Sequence, residues 1–267
     1  LLRIIVVILI SGLIAGIGGT SYIFLNQMQS NEFQSVFKSS VNQISKTLDK
    51  NLNDKFLAAE IVDSIYGYAQ QGTANKFPNF TLPGYASIIG TLAQLSSARV
   101  ITFDPIVAKE NRKGWEAYAA AHVGELNGPS LLEVSTNGSW VVADGIYTRD
   151  STGRPVSSPG HLAGSTYPDI LVPIWQTTVM ANGGAIMYDV HSINSTGLVI
   201  DKVISTKKAG FTDIYQLVID KEPRPSTILY GPVKDISDGR VVGISASIHS
   251  WDTLLQDALP EHISGIT

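Results

Sequence analysis

The 267-residue chain contains no cysteine. Disulfides, thiolate metal sites and thiol nucleophiles are therefore excluded. A domain of this size can bury a sufficient core without such staples. A basic excess is also missing: 19 Lys and Arg stand against 23 Asp and Glu, a formal net charge of −4. Nucleic acid demands a basic face to neutralise its phosphates, so it is not an expected partner. Enzyme signatures are lacking too. The five histidines, His122, His161, His191, His249 and His262, fall in no HExxH or comparable ligand spacing. No GxSxG occurs, since Gly243-Ile244-Ser245-Ala246-Ser247 lacks the second glycine. There is no P-loop, and Gly183-Gly184 reads as a turn. The carboxylates Asp144, Asp169, Asp189 and Asp213 are scattered near strand ends, where turn and solvent roles are the usual ones. No catalytic residue, metal site or cofactor is expected in this chain.

What is present begins with an apolar run. Residues 4–25 carry no charged side chain. As a helix they would reach about 33 Å, against a hydrocarbon core of about 30 Å. The reading is a transmembrane signal anchor over residues 1–25, longer than the apolar core of a cleaved signal peptide. Arg3 precedes the run, and no Lys or Arg follows it until Lys38. The positive-inside bias then puts the following domain outside the cell, anchored in the plasma membrane. Gly12 and Gly16, extended by Ala15 and Gly19, would let a second membrane helix approach closely. The sequons at Asn79, Asn137 and Asn194 are glycosylation candidates compatible with that location.

Residues 26–70 read as one long membrane-proximal helix. Phe33, Phe37, Val41, Ile44, Leu48, Leu52 and Phe56 recur at three- and four-residue steps, and neither Pro nor Gly occurs from residue 26 to 66. This stripe must pack on the domain or on a twin helix, the domain being the simpler choice. A second helix is expected from Pro83 through Leu95, a strand over 99–103 ended by Asp104-Pro105, and a helix over 108–126. Short β-type runs then follow at 139–142, 146–149, 170–175, 211–219, 228–233 and 240–248. A helix over 185–205, interrupted at 194–197, lies among them, and a short one over 251–259 follows. Residues 71–267 thus form an α+β domain of mostly antiparallel sheet with helices on one side. Tyr147, Trp175, Tyr188, Tyr215 and Tyr230 fall in its β-rich half and are the candidate ligand contacts.

Three stretches carry a resemblance. Val100-Ile101-Thr102-Phe103-Asp104-Pro105-Ile106-Val107, then Glu110-Asn111-Arg112 and Trp115-Glu116-Ala117-Tyr118, is similar to a strand-then-helix block of CHASE-like sensor domains. Leu171-Val172-Pro173-Ile174-Trp175-Gln176 resembles their PVWQ strand, with Ile174 in place of the usual Val. Arg240-Val241-Val242-Gly243, Ser250-Trp251-Asp252 and Leu259-Pro260-Glu261 resemble the closing block. The likeness is to extracellular regions of receptor-type guanylate or adenylate cyclases of diatoms and related algae, and spans residues 26–267. It implies a CHASE/PAS-like sensor fold, a homodimer, a second membrane helix just past residue 267 and a cytoplasmic cyclase domain beyond. The chain, which starts at Leu1 and stops in an apolar stretch, reads as truncated before that helix. The stretch between Trp175 and Tyr230 matches least, so no ligand is implied. The expected function is the extracellular ligand-sensing region of a transmembrane receptor. The competing readings are a membrane-anchored surface hydrolase, which needs a convergent catalytic group, and an adhesion or scaffold protein.

Overall fold

The computed structural model describes the backbone of residues 2–71, 73, 76–126, 133–136, 139–142, 145–160, 164–178, 185–216 and 224–258. Side chains are described from residue 19 on, those of 133–142, 216 and 256–258 excepted. The chain divides into two compact units, residues 1–49 with 257–267, and residues 50–256.

One helix, α1 (Leu2–Gln71), contributes to both units. It is followed by α2 (Tyr85–Leu95), β1 (Val100–Pro105) and β2 (Val107–Ala108). A 3-10 turn at Lys109–Asn111 leads into α3 (Arg112–His122). Then come β3 (Glu133–Thr136), β4 (Ser139–Val142), β5 (Tyr147–Arg149), β6 (Pro155–Ser157), β7 (Ile170–Leu171) and β8 (Gln176–Thr177). The last elements are α4 (Asn194–Thr206), β9 (Gly210–Phe211), β10 (Tyr215–Gln216), β11 (Pro225–Lys234), β12 (Val241–Ser250) and α5 (Trp251–Ala258). The long helix and the antiparallel, mixed α+β domain match the sequence expectation.

No helix among the described residues is long and apolar enough to cross a membrane. The expected span, residues 4–25, lies mostly where side chains are not described. In the first unit Phe33, Val36, Phe37 and Val41 are exposed.

The second unit is built on a sheet of order β10-β11-β12-β1-β8, with β9 added beside β11; its pairs are antiparallel. Strand alternation sends successive side chains to opposite faces. Ile101 and Phe103 of β1 join a cluster with Ala58, Val62 and Tyr66 of α1, Tyr85 and Ile89 of α2, Trp115 and Trp175. Thr102 and Asp104 point to the other face, opposite Ala246 and Ile244 of β12. There Ile228, Tyr230, Ile244 and Ala246 meet Val172, Val190, Ile200 and Val203 in a second cluster. Helices therefore flank the sheet on both faces rather than one: α1 and α2 on the first, α4 on the second.

Several expectations shift. The buried stripe of α1 runs through Lys55, Ala58, Val62 and Tyr66, while Leu52 is exposed. Small residues set this register: a Cβ at Gly231 would come within 2.8 Å of Ala59 Cβ, so α1 lies close on β11. The Lys55 stem is buried and its ammonium donates to the Ser96 carbonyl at 3.1 Å. Asp104 and Pro105 do not end the strand before them. They are its last two residues, and a strand end tolerates proline. The supposed interruption at 194–197 is the start of α4, where Thr196 and Gly197 N–H groups donate to the Ile193 carbonyl. The run at 170–175 is broken into β7 and a separate bridge at Pro173, before β8.

Candidate functional site

Three of the five expected ligand residues converge on the second face of the sheet. Tyr230 sits on β11 opposite Ala246, fully buried. Tyr215 on β10 and Tyr188, just before the 3-10 turn at Val190–Ser192, are half-buried and pack against the same cluster. Tyr147 is joined to Tyr188 by a parallel bridge and by ring centroids 5.4 Å apart. Trp175 lies in the first cluster instead. Its indole donates to Thr81 Oγ1 at 3.0 Å and its ring meets Trp115 edge-on at 5.6 Å.

The tyrosines sense one another electrically. Burial raises the Tyr230 hydroxyl well above its ordinary value, with Tyr215 and Asp104 adding to the rise. Tyr188 is raised by burial, and Arg149 opposes this. Tyr215 is raised by burial and then by Tyr188. All three are neutral donors at physiological pH.

Sequence reasoning missed the residue at the floor of this set. Asp104 is fully buried, and neither of its oxygens has a hydrogen-bond partner among the described residues. Thr102 Oγ1 is likewise without one. Burial pushes the Asp104 carboxyl well above the usual carboxylate range, and the nearby Thr102 hydroxyl opposes the shift without forming a bond of ordinary geometry. The signal was visible in Val100-Ile101-Thr102-Phe103-Asp104 as strict alternation. The polar half of such a pattern normally faces water, but here both faces are covered.

Asn51 Nδ2, His191 Nδ1, His249 Nδ1, Ser250 Oγ and Trp251 Nε1 also lack a partner among the described residues, while other buried polar groups are satisfied. Asp189 accepts from Ser158 Oγ at 2.5 Å and from the Val172 and His191 N–H groups at 2.9 and 3.2 Å. Arg112 bridges Glu116 at 2.8 Å to the Ser158 and Ile146 carbonyls. These tie the β5–β6 hairpin to α3 and leave no free chemistry.

The hydrolase reading needs a serine and a carboxylate on opposite nitrogens of one imidazole. Ser165 Oγ lies 3.4 Å and Asp201 Oδ1 2.8 Å from the same atom, His191 Nε2, and His191 is fully buried. A nucleophile could not be activated there. His122 stacks on Tyr118, its Nδ1 2.8 Å from that residue's carbonyl oxygen. His249 is buried on β12 beside Phe211, its Nε2 2.9 Å from Ser247 Oγ, with its pKa pushed down to about 3, by burial first and Lys55 second. No group of three or more potential metal ligands occurs among the described residues. His161 and His262 lie outside them.

A cleft of about 420 Å³ beside α2 is lined by Ala86, Gly90, Gln94, Arg99 and Thr178. It contains none of the expected ligand residues. Of the glycosylation candidates, Asn79 and Asn194 are exposed, and Asn137 lies outside the described residues.

No family model matches the chain, and no curated protein matches it. The solved structures that resemble it loosely include two sensory proteins. Methyl-accepting chemotaxis protein X is 15% identical, with a TM-score of 0.40, covering 85% of this chain and 68% of that one. The periplasmic sensory domain of the Campylobacter jejuni chemoreceptor Tlp1 is 9% identical, with a TM-score of 0.40, covering 82% of this chain and 59% of that one. At that score the likeness fixes neither fold nor ligand.

Proposed function

We propose that this chain is the extracellular ligand-sensing region of a plasma-membrane receptor, and that Asp104, Tyr188, Tyr215 and Tyr230 form its ligand site. The observation that carries this reading is the Asp104 carboxyl. A buried polar group without a partner costs about 1–3 kcal/mol. Proteins keep such costs mainly where function needs them. Here the group shares a sheet face with Tyr230, whose apolar cluster Tyr188 and Tyr215 also pack against, both partly exposed.

The helix supplies the route for a signal. Tyr66 of α1 donates to Gln176 Oε1 at 2.7 Å, and Gln176 lies on β8 beside β1, the strand that carries Asp104. Asp63 of α1 binds Lys234 of β11 through its side chain at 2.8 Å and its backbone N–H at 2.7 Å. A ligand that reseats β1 or β11 therefore acts on α1 directly. Such a bistable element, biased by binding, is what a receptor requires. The membrane anchor at residues 4–25 and glycans on Asn79 and Asn194 belong to the same reading. So does a homodimer pairing along Phe33, Phe37 and Val41. The output, by the sequence resemblance to CHASE-like receptors, is a cytoplasmic nucleotide cyclase beyond residue 267.

The test is a thermal-shift screen of the purified chain in detergent against mixtures of small amines, acids, sugars and nucleobases. At least one compound is expected to raise Tm in the wild type and not in Tyr188→Ala. A well-folded chain that no class stabilises would overturn the reading. For the output, the coding sequence past residue 267 is expected to hold an apolar span of about 20 residues and then cyclase motifs; a stop codon would contradict it.

A further inference from the structure

The chemistry of the second sheet face restricts what it can hold. Asp104 brings a carboxyl with both oxygens unbonded. Its strand neighbours on that face, Ile244 and Ala246, are apolar, and so are Val172, Val190 and Ile228 in the same cluster. Tyr230 is buried on the same face and feels Asp104 electrostatically, and Tyr215 and Tyr188, partly exposed, pack against the same cluster. An anionic ligand would further oppose the ionised form of Asp104, which burial already disfavours. A neutral donor would satisfy one oxygen and leave the aromatic faces unused.

A divalent metal ion needs about six or more oxygen ligands in the hard-cation case, and no group of three or more candidate ligand side chains occurs among the described residues. An ammonium group fits both features. Its N–H donors make charge-assisted bonds to a carboxylate, and its charge is attracted to tyrosine ring faces within about 6 Å.

We propose that this face binds a small organic ammonium, with Asp104 as counter-ion and Tyr188, Tyr215 and Tyr230 as the aromatic wall. The inference rests on the ligand-sensing reading and names the class of its ligand. The amine enters past Tyr188 and Tyr215, the half-buried pair. The apolar cluster around Asp104 then receives its carbon skeleton.

The test uses the full chain in detergent at pH 7.5. Ethanolamine, phenethylamine and tetramethylammonium are compared with ethylene glycol, 2-phenylethanol and acetate by titration calorimetry. At least one ammonium compound is expected to bind saturably to the wild type. Asp104→Asn is expected to weaken that binding at least tenfold, while Asp238→Asn, an exposed carboxylate, leaves it unchanged. Asp104→Ser serves if the Asn variant fails to fold. Equal binding to wild type and either Asp104 variant would overturn the proposal. If only neutral or anionic compounds bind, and Tyr188→Ala abolishes this, the ammonium assignment falls while the sensor reading stands. If no compound of any class binds, both fall.

Discussion

On the sheet face turned to α1 and α2, the polar groups around Tyr66 and Trp175 are bonded in chains. Tyr66 and the Leu82 N–H both donate to Gln176 Oε1, and Gln176 Nε2 returns a bond to the Leu82 carbonyl at 2.9 Å. Trp175 donates to Thr81, whose hydroxyl pairs with that of Tyr118 at 2.8 Å. On the opposite face Thr102 and Asp104 are equally buried and bond to nothing described. Two faces of the same strand are finished to different standards. Satisfied networks specify a unique core. An unsatisfied carboxyl works against stability and needs another reason to be there.

Substitutions can sharpen that comparison, beginning with the bonded face. Tyr66→Ala removes a buried ring stacked 3.9 Å from Phe103, and a loss of about 3–5 kcal/mol is expected in chemical denaturation. Gln176→Ala strands both Leu82 backbone groups and the Tyr66 hydroxyl, for about 2–3 kcal/mol. Equal losses from Thr102→Ala on the other face would break the comparison.

Asp104→Asn is the opposite case. The folded-state pKa of Asp104 is raised by burial. Its contribution to stability is therefore fully present below about 3.9, the unfolded value, and is lost as pH rises through the folded value. Wild-type stability should decline in that window by up to about 1.4 kcal/mol per pH unit relative to the variant. At pH 7.5 the Asn variant should be at least as stable as wild type. Melting curves of both proteins across pH 3–8 would check this, and parallel curves would show that Asp104 is satisfied in solution. The smallest effect belongs to Tyr215→Phe. Tyr215 is half-buried, and its hydroxyl has no bond among those described. Its loss should change stability by less than about 0.5 kcal/mol.

Much of the architecture was legible in the sequence. The long helix shows in a stretch without Pro or Gly and with helical periodicity. Strands β11 and β12 show in their β-branched and aromatic content. The buried stripe of α1 was placed one position off because large apolar residues, Leu52 and Phe56, were given more weight than small ones. The helix in fact meets the sheet where Ala59 faces Gly231, and close approach favours side chains that periodicity of bulk does not mark. The site was legible only as a set of tyrosines. Which of them share a face depends on register, and register depends on pairings more than a hundred residues apart, such as Asp104 with Ile244. Asp104-Pro105 carries the composition of a turn. Only the covering of the second face by α4 and the residues around Val172 turns its carboxylate inward among apolar neighbours.

Hydrogen exchange with and without a stabilising compound from the screen tests the central claim most directly. Protection is expected on β1, on β10 and β11 around Tyr215 and Tyr230, and on residues 50–71 of α1. Protection confined to α2 and the cleft beside Arg99, with β1 and β11 unchanged, would contradict it.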